Sequence, residues 1–134
     1  GLLSKFAIMA YEVDNNETFV SMDINDVSLT SVNMTGVTPN TVYLVKVVAC
    51  TAGGCTESTD GMEVTTPIEA PEEVLAPTAQ AGSTYLVVQW QTPSKPNGPI
   101  TGYYLYQDGR EVYSGGQLFF NITGLQVYTT YNFY

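Results

Sequence analysis

One short pattern occurs twice in this chain, and its spacing limits the fold more than any other feature. Residues 33–43 read Asn-Met-Thr-Gly-Val-Thr-Pro-Asn-Thr-Val-Tyr, and residues 121–131 read Asn-Ile-Thr-Gly-Leu-Gln-Val-Tyr-Thr-Thr-Tyr. The Asn, the first Thr, the Gly, a later Thr and the closing Tyr all return 88 residues on. That interval exceeds the roughly 20–50 residues of solenoid units and matches one small domain. A chain of 134 residues therefore holds one domain or parts of two.

Between the copies the pattern is that of strands. Residues 6–13 are apolar, and residues 14–18 form a polar turn. Residues 18–24 and 27–34 alternate apolar and polar side chains, as half-buried strands do. Residues 41–50 and 61–67 read as strands on either side of a tight Thr-Ala-Gly-Gly turn. Pro67, Pro71 and Pro77 mark a linker running into an edge strand, because proline cannot donate to a ladder. Strands then follow at 84–90 and 100–107, with Asp108-Gly109 as a hairpin turn. Further strands are expected in Arg-Glu-Val-Tyr-Ser-Gly and Gln-Leu-Phe-Phe-Asn-Ile-Thr, and one more begins at residues 129–134. No segment has a long helical period. The fold class is therefore all-β, an antiparallel sandwich with strands every 8–12 residues.

Charge narrows the partners. The formal net charge is −9, with four Lys and Arg in all. A nucleic-acid backbone needs clustered cations, so that class is excluded. No run of 18 apolar residues is present, so this segment is read as making no membrane contact. Catalysis has little to work with. There is no His, no evident activator for Cys50, and the adjacent Glu72 and Glu73 point apart on an extended chain. The chain opens at Gly1 and closes within an apolar, Tyr-rich run, and both ends are read as cuts through a longer protein.

The corner pattern is Val37-x-Pro39-x-Thr41-x-Tyr43 in one copy and Leu125-x-Val127-x-Thr129-x-Tyr131 in the other. It resembles the tyrosine corner of fibronectin type III repeats, with Val127 in place of the usual Pro. In that motif the Tyr ring is buried and its hydroxyl bonds back to the corner backbone. Trp90 is similar to the core Trp of the family's strand B, and residues 100–106 to its strand C. The resemblance implies tandem immunoglobulin-like sandwiches, both truncated. Residues 1–67 are then strands C to G of one repeat, 68–71 a linker, and 72–134 strands A to the start of F of the next. Nine residues more separate Phe6 from Tyr43 than Tyr103 from Tyr131, which implies a longer loop or hairpin within 14–30. Trp90, Tyr43, Tyr131, Tyr103, Leu125 and Val37 are the expected core residues. A narrower resemblance, carried by residues 49–58 and 95–125, is to the repeats of a large cell-surface and basement-membrane protein. Those repeats carry a Cys pair at the end of strand F and the start of strand G.

Cys50 and Cys55 flank a four-residue hairpin tip, within disulfide reach. A pair of free thiols in a reducing compartment is the competing reading. Structural zinc wants four ligands, and two Cys without His do not supply them. Three N-x-Thr sequons start at Asn16, Asn33 and Asn121. Strand alternation turns Met34 and Ile122 inward and Asn33 and Asn121 to solvent, as a glycan requires. Sequons also arise by chance in chains rich in Asn and Thr. Asp23-Ile24-Asn25-Asp26 resembles the calcium-binding linker of cadherins, but a polar turn is the simpler reading. No cofactor or metal site is expected. Tyr103 and Leu105 are expected to face the core, and Tyr104 and Tyr106 the other side.

These readings converge on a non-catalytic, extracellular adhesion, matrix or receptor-ectodomain module that meets extracellular proteins. The alternative is a type III spacer inside a secreted carbohydrate-active enzyme.

Overall fold

A computed structural model describes residues 1–15 and 17–134. The described residues contain strands, turns and bends and no helix. They form two compact units, Gly1–Glu69 and Ala70–Tyr134.

The first unit is one antiparallel sheet. Its strands are β1 (Leu3–Glu12), β2 (Phe19–Ile24), β3 (Val42–Thr51), β4 (Gly54–Glu57) and β5 (Met62–Thr65). They are ordered β2-β1-β3-β4, and β5 also pairs with β3. The register puts Ala10 opposite both Val20 and Val45, so one face carries Phe6, Ile8 and Ala10 beside Val45 and Val47. Much of the added length in this unit lies in the β1–β2 hairpin. It pairs Phe6 with Ile24, where the corresponding hairpin of the second unit pairs Tyr103 with Gly115.

Two expectations change here. Residues 27–34 were expected as a strand but form turn and coil. The alternation is real, since Val32 and Met34 are half-buried and Asn33 is exposed. Alternation orients side chains, however, and a strand also needs a backbone neighbour to take its N–H and C=O groups. The second unit supplies that neighbour to the equivalent segment, and the first unit has none among its described strands. The Thr-Ala-Gly-Gly segment was expected to be all turn, with the next strand at 61–67, but Gly54 opens a further strand, β4, which parts from β5 at Ser58. The Ser58 N–H donates to Val47 O (2.8 Å), and Val47 N–H donates to Ser58 Oγ (3.3 Å). The side chain replaces a backbone acceptor, so the ladder partner of β3 is split in two.

The second unit holds β6 (Thr78–Ala81), β7 (Tyr85–Gln89), β8 (Tyr103–Gln107), β9 (Arg110–Gly115) and β10 (Phe119–Thr123). One sheet is ordered β10-β7-β6, and β8 pairs with β9. Val88, Ile122 and Leu105 are buried together, which places the three-stranded sheet face to face with the hairpin. Burial of that apolar surface is the main stabilising term. Trp90, Leu125 and Phe133 pack around this core. Asp108 and Gly109 have φ of 49° and 85°, the left-handed pair that a two-residue hairpin with matching twist requires. Residues 131–134 add the start of a further pairing, in which Tyr106 and Tyr134 exchange backbone hydrogen bonds.

Candidate interaction surfaces

The two copies of the repeated pattern adopt one geometry. Thr38 N–H donates to the Tyr43 hydroxyl (2.9 Å), and Gln126 N–H donates to the Tyr131 hydroxyl (3.1 Å). Thr41 Oγ1 donates to Pro39 O (2.9 Å), and Thr129 Oγ1 to Val127 O (3.2 Å). The shared Gly is left-handed in both, with φ of 81° at Gly36 and 72° at Gly124. A second left-handed position follows four residues later, at Asn40 (φ 50°) and Tyr128 (φ 54°). The repeat is thus a backbone prescription. Gly starts the corner, Thr braces it, and the Tyr hydroxyl takes a donor five residues upstream. Tyr43 is buried, and its hydroxyl also donates to Glu12 Oε1 (3.3 Å). Tyr131 is half-buried.

A disulfide joins Cys50 to Cys55. The two residues are direct cross-strand partners beside the Ala52-Gly53 turn. Cys50 is buried and Cys55 exposed, and the bridge clips the two strands together one residue pair below the tip. Beside it, Lys46 Nζ lies 2.9 Å from Glu57 Oε1, and the Tyr11 hydroxyl donates to Glu57 Oε2 (3.2 Å). The hydrogen bond from Lys46 holds the Glu57 carboxyl below its usual pKa and raises that of Lys46. Burial, then the Glu57 carboxylate, raise the Tyr11 phenol. Lys5 and Lys95 are likewise paired, with Asp23 (3.0 Å) and Glu73 (2.7 Å). Each Lys is therefore neutralised locally, and the exposed acidic surplus is left without a basic patch.

A cavity of about 510 Å³ lies within the first unit. Phe6, Ile8 and Ala10 of β1 and Tyr43, Val45 and Val47 of β3 form its floor. Leu29, Val32, Met34 and Val37, from the irregular 27–37 segment, form one wall. It is an apolar groove over one sheet face, and Val47 on its floor is 44% exposed. The composition of its lining supports packing and provides no convergent acid, base or nucleophile.

Residues 69–134 match the sequence model for the fibronectin type III domain, described as such by its family. This segment is a fibronectin type III domain. Over the whole chain, human usherin is 38% identical across 138 aligned residues, covering 99% of this chain. Mouse usherin is 40% identical over 98% of it. The chain spans only 3% of the length of either protein. Rat neogenin is 34% identical over 71% of this chain and 8% of its own.

Within the type III domain, Trp90 sits between Tyr103 and Tyr113, with ring centroids 6.1 and 5.4 Å away. Its indole Nε1 is buried without a hydrogen-bond partner among the described residues. Tyr103 is half-buried beside it, Leu105 fully buried, and Tyr104 is 64% exposed. Tyr106 is half-buried, stacked on Tyr134 at 5.2 Å. Leu125 is half-buried against the core, and Val37 lines the groove of the first unit. Asn121 and Asn33 are exposed, whereas Asn16 lies outside the described residues. Asp26 accepts hydrogen bonds from Ser28 N (3.0 Å) and Ser28 Oγ (2.5 Å), as a polar turn does. The left-handed positions at Asn40 and Tyr128, and the groove, were not read from sequence. Asn40 carried a signal, because Asn tolerates that conformation. Tyr128 carried none.

Proposed function

We propose that this chain is a non-catalytic module of an extracellular protein or receptor ectodomain, serving as a spacer and as a surface for extracellular protein partners. The observation that carries this reading is the 38–40% identity to usherin over nearly the whole chain. Usherin-like repeats imply a long cell-surface or matrix protein whose work is reach and contact. The Cys50–Cys55 bridge supports an oxidising compartment. The exposed edge strands, the disulfide tip and Tyr104 are the groups available to a partner.

We read residues 1–67 as strands C to G of one repeat, 68–71 as a linker, and 72–134 as strands A to the start of F of the next. The matching corners support this frame, as does the complementarity of strands. Among the described residues the first unit has a β2-β1-β3-β4 sheet and no counterpart of β7, whereas the second has β6, β7 and β10. Reading the parent sequence upstream of Gly1 tests the frame. An apolar strand with one Trp supports it, and a catalytic domain directly beyond Gly1 overturns it.

The functional reading is tested by staining cells that express the tagged parent protein. Signal on non-permeabilised cells or in their matrix is expected, together with Cys50 and Cys55 that resist maleimide until reduced. Signal seen only after permeabilisation, with both thiols labelled, overturns the reading.

A further inference from the structure

The outer face of the β10-β7-β6 sheet has a particular arrangement. Phe119, Asn121 and Thr123 alternate along β10 with the inward Phe120 and Ile122, so all three project outward. Asn121 lies directly opposite Val87, and Thr123 opposite Tyr85. Phe119 is 48% exposed and Tyr85 50% exposed. Two residues along a strand span about 6.8 Å, and cross-strand neighbours approach more closely still. Asn121 therefore shares one flat face with Phe119, two residues before it, and Val87, across from it, whereas the Tyr85 ring lies over Gly82. The outward Phe119 contributes nothing to the core and leaves ring surface open to a neighbour on this face. β10 is also the edge of its sheet, so access to the amide is open on the side away from β7.

We propose that Asn121 is an N-glycan acceptor whose first sugar packs against Phe119, making this outer face a sugar-covered surface. The proposal rests on the extracellular reading above, because the transfer takes place in the secretory compartment. The reaction joins Asn121 Nδ2 to the anomeric carbon of an oligosaccharide carried on a lipid diphosphate. The C1–O bond to the diphosphate breaks, a C1–N bond forms, Nδ2 gives up one proton, and the lipid diphosphate leaves. No electrons are gained or lost overall. Thr123 stands on the same face two residues on, where the sequon requires its hydroxyl. Pyranose rings present apolar C–H faces, and an aromatic ring offers them a flat, weakly hydrated partner. The sugar thus removes from water a ring that the sheet itself leaves exposed.

Asn33 provides the internal contrast. It occupies the same position in the repeated pattern and is exposed. Ser31 stands where Phe119 stands in the other copy, and residues 31–35 form no strand. A glycan at Asn33 has no aromatic platform of this kind, so of these two sites the stabilising effect of the sugar belongs to Asn121.

The experiment expresses the full chain behind a signal peptide in a mammalian secretory cell line. Glycans are released with peptide-N-glycosidase in ¹⁸O-water, and the conversion of Asn121 to labelled Asp is read by peptide mass spectrometry. Most secreted chains are expected to carry the label at Asn121. The Tm of the glycosylated chain is expected to exceed that of Asn121→Gln, and Phe119→Ser is expected to remove that increment. Phe119 faces solvent, so this variant leaves the core intact. Secreted chains with Asn121 unlabelled overturn the proposal, as does a Tm increment that survives Phe119→Ser. The imposed signal peptide separates the two readings: an intracellular parent protein defeats the extracellular assignment, whereas an unmodified Asn121 in a secreted chain defeats the glycan site.

Discussion

Tyr128 shows what a repeated corner demands of a single residue. Its backbone is left-handed at φ 54° and its side chain is fully solvated, so no packing offsets the conformational cost. Residues with a Cβ cost roughly 1–2 kcal/mol there, and Gly and Asn are the tolerant types. Tyr128→Gly or Tyr128→Asn is expected to raise stability by about 0.5–1 kcal/mol in urea unfolding. Gly124→Ala is expected to lower it by about 1–2 kcal/mol by the same reasoning. Tyr43→Phe removes the acceptor of the Thr38 N–H and is expected to cost about 1 kcal/mol. These positions differ in legibility. Gly and the corner Tyr are types selected for one conformation or one bond, and they could be read from the chain. Tyr128 contradicts local preference, and only the corner around it holds it in place.

At the scale of elements, the β3–β4 hairpin concentrates the constraints on the first unit. Its disulfide closes a loop of six residues, for which the chain-entropy relation gives about 2 kcal/mol. The double variant Cys50→Ser, Cys55→Ser is expected to lose about that much in denaturant titration and to speed hydrogen exchange at the Ala52-Gly53 tip. The carboxyls of Glu57, Glu73 and Asp26 lie below their usual values because Lys46, Lys95 and Ser28 respectively bond the charged form. The folded chain therefore binds fewer protons than the unfolded chain in this range. That stabilisation is present above the unfolded carboxylate values, near pH 4–4.5, and is lost as pH falls through the lower folded ones. Tm is expected to hold from pH 7 to about 5 and to fall below it. Lys46→Met should flatten this acid limb, and an unchanged limb would rule out Glu57 as a contributor. The pairs are exposed, so each effect is small and fades with salt.

Considered as a whole, the chain has two units of unequal closure. Val88 is wholly buried between β10, β7 and β8, and Val88→Ala is expected to cost about 2 kcal/mol, measured as lost protection of β7 and β10 amides. The first unit has an apolar sheet face with an open groove. Exposed faces and edges of this kind invite association. Sedimentation equilibrium of the chain is expected to show concentration-dependent self-association, and Val47→Lys on the groove floor to reduce it. A chain that stays monomeric in both forms would show that residues 27–37 cover the groove well enough in solution.

Alternation, Asp108-Gly109, the Cys pair and the repeated corner are local instructions. Each specifies a side-chain direction, a turn or a short-range bond, so strand content, hairpins and even the family were legible in the sequence. A strand also depends on a neighbour, and that dependence is tertiary. Residues 119–123 and 31–35 carry the same alternation, yet the first is a strand because β7 takes its backbone groups, and the second has no such partner among the described residues. The split at Ser58, the strained Tyr128, the open groove and the aromatic setting of Asn121 have the same origin. They were decided by which segments lie beside one another, since hydrogen-bond pairing and exclusion of water are properties of the assembled surface.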